Sequence, residues 1–289
     1  VSINVKYQYE QNPYPRWINT KLYSQPFDVL ELSKKLSLSL RIPLDLSSKT
    51  LDILVAGCGT GEHSLITASR FKNCHVTAVD LSLNSLSYAK LKADELKVDN
   101  ITYMQADILN LQSLCKSFDI VESVGVLHHM AHPRKGWKIL AEHLKPGGLM
   151  RIGLYSKVAR RKINKVRALI AHRNLSSNVE SILEFRNDIL EDSNNYRENL
   201  ITYRDFWSVS SLRDLLFHVQ EHQFTIPQIL EILQDLGLHF AGFEFSNMRV
   251  LNEFKNISLL YQLFFISQYI NFDEKTFFKI IKNYFLPAL

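Results

Sequence analysis

Residues 49–155 alternate between short apolar runs and helical patterns, and this alternation constrains the fold more than any other feature of the 289-residue chain. The apolar runs are LDILVAG (51–57), CHVTAVDL (74–81), ITYMQAD (101–107), FDIVESVGVL (118–127) and LMRIGLY (149–155). Runs of this kind, separated by helix-length segments, are typical of parallel strands joined by helices. The sequence therefore predicts an α/β fold, with a Rossmann-like, doubly wound and mostly parallel sheet.

The rest of the chain divides into segments around this core. Residues 1–48 are predicted to form an N-terminal arm and helix that cap the site, and residues 156–223, which contain no glycine, a helical insertion. Residues 224–246 carry the pattern of a last helix and strand of the core. Residues 247–289 are predicted to be a C-terminal helical tail.

Composition excludes several classes of protein. Three scattered cysteines are too few for a disulfide framework, and no apolar leader or 20-residue apolar span is present. We therefore expect an intracellular, cytoplasmic protein without a membrane span. Without an initiator Met, the chain is expected to be a processed form or part of a longer one.

The net charge of +5 permits an anionic partner without requiring one. Residues 156–173 carry seven Lys or Arg and no acid, but no aromatic residues that could stack on bases. This basic stretch is predicted to be a solvated helix face that pairs with the acidic residues of 180–192, so nucleic acid is not the expected partner.

The strongest chemical signal is VAGCGTGEHS at 55–64, which links an apolar strand to a helix. Its three glycines permit a tight turn and let a ligand lie against bare backbone, next to the N–H groups of a helix N-terminus. Asp80 ends the second strand 23 residues after Gly57, where a carboxylate suits ribose hydroxyls. Asp107, after the third strand, is placed to accept a hydrogen bond from an adenine amino group. Glu62 stands where a dinucleotide fingerprint would have its last glycine, which argues against NAD.

Together these motifs resemble the class I S-adenosylmethionine-dependent methyltransferases, which implies S-adenosylmethionine as cofactor. That family usually has an acid two residues before the first glycine, where this chain has Val55. We expect Asp52 or Glu62 to compensate, or the cofactor affinity to be lower. The resemblance implies the following cofactor-binding residues: Gly57, Cys58, Gly59, Gly61, Asp80, Leu81, Asp107, Ile108 and Val124.

The tetrapeptide NPYP (12–15) raises the alternative of a nucleobase methyltransferase. Such enzymes carry Asn-Pro-Pro-Tyr just after the fourth strand, where this chain has ESVGVLHHM (122–130), which argues against that alternative. Instead, YEQNPYPRW (9–17) and LMRIGLYSKVARR (149–161) resemble a bacterial methyltransferase module that is often attached to tetratricopeptide repeats. They also resemble the rickettsial protein lysine methyltransferases. This resemblance implies possible tetratricopeptide repeats in a longer parent chain.

The opening stretch is interpreted either as an arm over the active site or as a strap that packs on the sheet edge. As an arm, its aromatic rings would exclude water and bind the acceptor. Catalytic roles are predicted for Tyr14, His128 and His129, because a residue here could remove a proton from the acceptor. No metal is expected. The predicted substrate-binding residues are Tyr9, Tyr14, Arg16, Trp17, Glu122 and Tyr155.

The sequence thus predicts methyl transfer from S-adenosylmethionine to a protein side chain, with lysine nitrogen favoured by resemblance. Two alternatives stay open: a small-molecule methyltransferase, and a non-catalytic module that binds the cofactor and interacts with partners.

Overall fold

The computed structural model describes residues 3–36, 38–39, 50–191, 196 and 200–244, and the backbone of 280–284. The strands are β1 (Leu51–Ala56), β2 (Cys74–Asp80), β3 (Ile101–Gln105), β4 (Phe118–Val124), β5 (Leu144–Gly153), β6 (Leu238–Phe243) and β7 (Ile280–Tyr284). The α-helices are α1 (Ile3–Gln11), α2 (Val29–Lys35), α3 (Glu62–Arg70), α4 (Leu83–Glu95), α5 (Pro133–Glu142), α6 (Arg161–His172), α7 (Val179–Glu191), α8 (Val209–Leu216) and α9 (Ile226–Asp235). Short 3-10 helices span Ile108–Leu114, Leu127–His129 and Arg204–Trp207.

The seven strands form one sheet in the order β3-β2-β1-β4-β5-β7-β6. Strands β1 to β5 are parallel, whereas β7 runs antiparallel to both of its neighbours. The predicted Rossmann-like, mostly parallel sheet is thereby confirmed. Because parallel strands end at the same edge, the segments that follow β1 to β5 meet on one side of the molecule.

The C-terminal part of the sheet differs from the prediction. The helical tail expected at 247–289 contains a strand, β7, at residues 280–284. Strand β7 lies between β5 and β6 and pairs with both. The edge of β5 has backbone groups that need partners, and this long-range demand overrides a weak local helical pattern. Residues 245–279 and 285–289 lie outside the described residues.

Apolar side chains cover both faces of the central strands. Leu54, Val121 and Met150 face α5 and α9, where Trp137 is fully buried. Ile53, Val55 and Val76 belong to the apolar cluster on the opposite face, with residues of α2, α3 and α4. Burial on two faces explains why the strands are continuous apolar runs rather than alternating ones.

The helical insertion has an apolar core of its own. Helices α6, α7 and α8 pack around buried residues that include Ile163, Phe185 and Leu212. The bounds of the insertion, 156–223, stay a prediction of the sequence. Among the described residues, we find no helix that has both the length and the apolar character needed to span a membrane.

Candidate active site

The glycine loop lies at the carboxyl edge of the sheet, between β1 and α3. Gly57, Gly59 and Gly61 have φ angles of +80°, +53° and +89°, a region that residues with a Cβ rarely adopt. The N–H groups of Gly57 and Cys58 both donate to the carbonyl oxygen of Val79, which ties the loop to β2. The loop therefore turns sharply enough to bring its backbone to the sheet edge.

Gly59 is also the point at which the N-terminal arm contacts the loop. A Cβ on Gly59 would lie 2.5 Å from the carbonyl oxygen of Tyr14. Thr60 holds the arm: its N–H donates to Tyr14 O at 3.3 Å and its Oγ1 to Pro15 O at 2.6 Å. Trp17 Nε1 in turn donates to Thr60 Oγ1 at 3.1 Å. The stretch NPYP thus lies directly against the glycine loop, as the arm interpretation requires.

Asp80 ends β2 beside this loop. Its Oδ2 accepts the Gly59 N–H at 2.8 Å and its Oδ1 the Ser82 N–H at 2.9 Å. Burial raises the pKa of this carboxyl, and the same two backbone N–H groups oppose the rise. Each oxygen keeps a second lone pair, so a fixed Asp80 can accept ribose hydroxyls.

Helix α3 provides a place for a carboxylate. It begins at Glu62, and its N-cap, Gly61, has no side chain that could bond the first N–H groups. Such N–H groups and the positive end of the helix dipole suit the carboxylate of a methionine moiety. The glycine loop, Asp80 and this helix start therefore fit S-adenosylmethionine.

The remaining predicted cofactor residues follow the neighbouring strands. Asp107 follows β3 and caps a 3-10 helix by accepting the Leu109 N–H at 2.9 Å, with Ile108 buried behind it. Leu81 follows β2, and its carbonyl oxygen accepts from Gln105 at 3.0 Å. Val124 is the last residue of β4. All of these positions lie at the edge of the sheet that carries the glycine loop.

Val55, which stands where the family usually has an acid, is fully buried in β1. Asp52 does not compensate for the missing acid, because it lies at the opposite end of β1. There its carboxylate pairs with Lys116 at 2.7 Å and Lys145 at 3.5 Å. Glu62, in the first turn of α3, is the nearer of the two proposed replacements.

Helix α1 fixes the start of the arm over α4. The Glu10 carboxylate accepts the N–H groups of Leu83 and Asn84 at 2.8 and 3.2 Å. Ser82 Oγ donates to the carbonyl oxygen of Tyr9 at 3.2 Å. Helix α1 therefore supplies part of the N-terminal capping of α4, two residues beyond Asp80.

The arm also reaches the helical insertion. The Tyr9 hydroxyl donates to Asp214 Oδ1 at 2.8 Å and lies 3.1 Å from His218 Nε2. The Tyr155 hydroxyl, just beyond β5, lies 3.5 Å from Asp214 Oδ2. Tyr14 joins them, with its ring centroid 6.5 Å from that of Tyr9. We name Tyr9, Tyr14, His129, Tyr155, Asp214 and His218 the acceptor cluster.

The two predicted catalytic histidines occupy different places. The ring of His129 stacks on that of His218 at 3.6 Å, and its Nδ1 lies 2.8 Å from the carbonyl oxygen of Gln220. A carbonyl can only accept, so Nδ1 carries the proton and Nε2 holds a lone pair. The ring of His128 instead stacks on Tyr155 at 3.9 Å. His129 is therefore the histidine of the pair that can take up a proton within the cluster.

Burial sets the protonation states of the cluster. It raises the pKa of the Tyr9, Tyr14 and Tyr155 hydroxyls well above the usual value, and Asp214 adds to the rise in each case. Burial lowers the pKa of His129 and His218. At neutral pH the tyrosines are therefore hydrogen-bond donors and the imidazoles are neutral.

His129, Asp214 and His218 could in principle hold a metal ion, since one ligand atom of each lies within 4.8 Å of the others. The Tyr9 hydroxyl already lies between Asp214 and His218. Gln220 N–H donates to His218 Nδ1 at 3.0 Å, which leaves the proton of the neutral ring on Nε2. That tautomer donates a hydrogen bond and offers no lone pair to a metal from Nε2.

Three predicted substrate residues do not join the acceptor cluster. Glu122 is buried beneath α3, where its carboxylate pairs with His63 at 2.8 Å and Arg151 at 3.5 Å. Trp17 is buried against Thr60 and α4, and Arg16 is exposed. Glu122 alternates with Val121 and Ser123 along β4, so its side chain points into the α3 face of the sheet.

Sequence reasoning missed Asp214 and His218. Both come from the end of the helical insertion, in SLRDLLFHVQ (211–220), which carries no recognisable motif. The signal that could have been used is the spacing of four, because residues i and i+4 share one face of a helix. His218 lies just beyond the end of α8, close enough to keep this alignment.

The basic stretch 156–173 pairs less with 180–192 than predicted. Arg173 does bond Asp188 at 3.1 Å. Arg160 and Arg167 pair instead with the buried carboxylate of Glu221, near the end of the insertion. The insertion therefore uses two of its cations internally.

Comparison with known proteins identifies the domain. Residues 53–148 match a family described as a methyltransferase domain. An uncharacterised protein of Synechococcus sp. is 29% identical over 66% of this chain and 48% of its own length. The (S)-coclaurine N-methyltransferase of Papaver somniferum is 33% identical over 34% of this chain and 28% of its own. In fold, PKMT2 from Rickettsia typhi is similar, with a TM-score of 0.61 and 19% identity over 88% of this chain and 52% of that one.

Residues 53–148 therefore form a methyltransferase domain with the class I fold, and the cofactor of such a domain is S-adenosylmethionine. The chain spans about half the length of the first of these relatives and of the Rickettsia protein.

Proposed function

We propose that the protein transfers a methyl group from S-adenosylmethionine to an amine nitrogen of a protein side chain, with lysine as the favoured acceptor. The observation that carries the proposal is the arm: NPYP bonds the glycine loop while Tyr9 and Tyr14 line the acceptor cluster. One short segment therefore connects the cofactor site with a cluster of tyrosine and histidine rings. The similarity of fold to PKMT2 from Rickettsia typhi, which extends over 88% of this chain, supports the same reading.

The glycine loop, Asp80 and the start of α3 would hold the cofactor. When bound, S-adenosylmethionine supplies a methyl group on a sulfonium sulfur, open to direct displacement. A lysine amine must be neutral to attack, against an ordinary pKa of about 10.4. The buried tyrosine rings disfavour the ammonium form by desolvation, and the lone pair on His129 Nε2 can accept the proton that leaves. Positioning by the arm supplies a large share of the rate in such a reaction.

A second candidate is methylation of a small molecule. The curated relatives that match the core include (S)-coclaurine N-methyltransferase and the trans-aconitate 2-methyltransferase of Deinococcus radiodurans, whose names give small acceptors. These matches cover about a third of this chain.

The test is transfer of radiolabelled methyl from S-adenosylmethionine into a fractionated cell extract, with protease and nuclease treatment of the products. An Asp80→Ala variant, which should bind the cofactor poorly, is the control. Label that is lost only to protease would support a protein acceptor, and mass spectrometry would then locate the methylated residue. Label confined to small molecules would favour the second candidate. Cofactor binding without any labelled product would support a non-catalytic module.

The location in the cytoplasm and an attachment to tetratricopeptide repeats stay predictions of the sequence. Location can be checked by fractionating cells that contain the full-length protein. Repeats can be sought in the coding sequence of the parent gene.

A further inference from the structure

Asp214 is a buried acid whose partners are hydroxyl groups. Only 5% of its surface is exposed. Its Oδ1 accepts the Tyr9 hydroxyl at 2.8 Å, and its Oδ2 lies 3.5 Å from the Tyr155 hydroxyl, which is a long hydrogen bond. A carboxylate offers about four acceptor positions, so these two donors leave part of its capacity for a ligand.

Three other buried carboxylates of this protein have a cation beside them. Glu122 pairs with Arg151, Asp119 with Lys145 at 2.8 Å, and Glu221 with Arg160. Within the part of the chain that the structure describes, no Lys or Arg nitrogen lies within 4 Å of Asp214. Buried charges in proteins are ordinarily paired, because an unpaired one is costly to desolvate.

The cations closest to Asp214 are occupied elsewhere. The Arg160 guanidinium lies over the ring of Tyr155, 4.1 Å from its centroid, and bonds Glu221. Arg167 also reaches Glu221, at 3.7 Å. The imidazoles of His129 and His218, which face Asp214, are neutral at pH 7 because burial lowers their pKa. Arg160 and Arg167 therefore act on Asp214 only at longer range, and no cation of the described residues bonds its carboxylate.

We infer that Asp214 is a specificity-determining residue, and that its counter-charge is the cationic amine of the incoming acceptor. This inference rests on the proposed function and names its substrate class: an alkylammonium side chain, as opposed to a hydroxyl, carboxyl or amide acceptor. Asp214 captures the charged amine, and His129 then takes its proton.

The assignment also gives the helical insertion a role. Asp214 lies in α8, outside the region 53–148 that matches the methyltransferase domain family. The cofactor half of the site thus comes from the region that matches the family, and the acidic group that selects the acceptor comes from the helical insertion outside it.

The experiment compares two peptides that span the residue labelled in the extract. One carries the native lysine, and the other carries 6-hydroxynorleucine, a neutral side chain of the same length. Dissociation constants are measured by calorimetry for the protein saturated with S-adenosylhomocysteine, so that no methyl transfer is needed. The wild type should bind the lysine peptide about 10-fold or more tightly than the neutral one, which corresponds to about 1.4 kcal/mol.

The variant Asp214→Asn should lose this preference, with the lysine peptide weakened about 10-fold and the neutral peptide unchanged. Asp188→Asn is the matched control, since Asp188 is an exposed acid of the same insertion that pairs with Arg173. Asp188→Asn should keep the wild-type ratio of the dissociation constants for the two peptides. Asp214→Glu, which retains the charge, should keep most of the preference for the lysine peptide. If only the shape of Asp214 mattered, both Asp214→Asn and Asp214→Glu would lose that preference.

Two results would overturn the inference while the proposed function stands: equal binding of both peptides by the wild type, or an undiminished lysine preference in Asp214→Asn. The ratio of the two dissociation constants of the wild type tests the inference even if the variant does not fold. If the extract experiment labels no amine at all, the proposed function fails and the assignment of Asp214 fails with it.

Discussion

The glycine loop and the N-terminal arm are in contact at Gly59, and the addition of one methyl group there should separate them. In Gly59→Ala, the new Cβ would lie 2.5 Å from the Tyr14 carbonyl oxygen, at a φ of +53°. We expect the arm to be displaced and the affinity for S-adenosylmethionine to fall about 10-fold or more, as measured by calorimetry.

Gly237→Ala provides the matched control for this change. Gly237 also has a left-handed φ, +60°, but a Cβ there would meet no atom within 4 Å. It should cost about 1 kcal/mol of stability through backbone strain and leave cofactor affinity unchanged. Equal affinity losses in both variants would show that strain, and not contact with the arm, is responsible.

Glu122 should make the stability of the fold depend on pH. Burial by itself raises the pKa of this carboxyl, but Arg151, His63 and Arg70 together outweigh burial and the folded pKa is lowered. A carboxyl with a lowered folded pKa stabilises the protein above its unfolded pKa, about 4.3, and this contribution is lost as the pH falls below that value.

The measurement is the free energy of urea unfolding between pH 7 and pH 3. Glu122→Gln should cost about 3 to 5 kcal/mol at pH 7, because it leaves a buried guanidinium without its partner, and the cost should shrink toward pH 3. Glu231→Gln, which removes an exposed partner of Arg134, should cost less than about 1 kcal/mol throughout. A pH-independent cost for Glu122→Gln would contradict this account.

At the scale of single residues, the sequence predicts the cofactor site better than the acceptor site. Gly57, Asp80 and Asp107 stand at strand ends, where their function depends on local backbone geometry. Asp214 belongs to a helix more than 130 residues further along the chain than Asp80, so that only tertiary packing could bring it to the site.

At the scale of elements, the junction of α1 with α4 offers a test. The Glu10 carboxylate accepts two N–H groups at the start of α4. Burial raises the pKa of this carboxyl, but these two hydrogen bonds, together with Ser82 and Lys6, outweigh it and lower the pKa. Glu10→Ala should release α1 and expose it to hydrogen exchange, with a loss of about 1 kcal/mol of stability. Glu10→Gln, which can still accept one of these bonds, should behave in an intermediate way.

Release of α1 should also affect activity, because the helix carries Tyr9. We expect methyl transfer by Glu10→Ala to fall more than cofactor binding does. Unchanged hydrogen exchange in α1 would mean that other contacts of the arm, such as that between Thr60 and Pro15, suffice to hold the helix.

The elements themselves were predictable to differing degrees. Strands β1 to β5 follow from the apolar runs that mark them, because each is buried on two faces. The local pattern around 280–284 did not predict β7, whose partners are strands more than 35 residues earlier in the chain. Where hydrogen-bond partners come from distant strands, local propensity is a weak guide.

At the scale of the whole molecule, the insertion has an apolar core separate from that of the sheet. A substitution in this core should therefore weaken acceptor binding and leave cofactor binding intact. Phe185 is buried in that core, with its ring 5.7 Å from that of Phe217. Phe185→Ala should cost about 3 to 5 kcal/mol, through lost burial and the cavity it leaves. We expect weaker acceptor binding and cofactor affinity within about 2-fold of the wild type.

Val179→Ala, in the same helix but exposed, should change neither quantity. Calorimetry with S-adenosylmethionine and with the acceptor peptide separates the two effects. A parallel loss of both affinities in Phe185→Ala would show that the insertion and the sheet unfold as one unit.

The sequence by itself determined the class of fold and the cofactor, and it predicted a set of residues that the fold places along one edge of the sheet. These features depend on periodicities and turns within a few residues, which short-range sterics and strand burial enforce. Only the tertiary structure decided the acceptor cluster, the burial of Glu122 away from it, and the position of Asp214. Those outcomes depend on which distant segments share a face, a choice that is made by the packing of the whole chain.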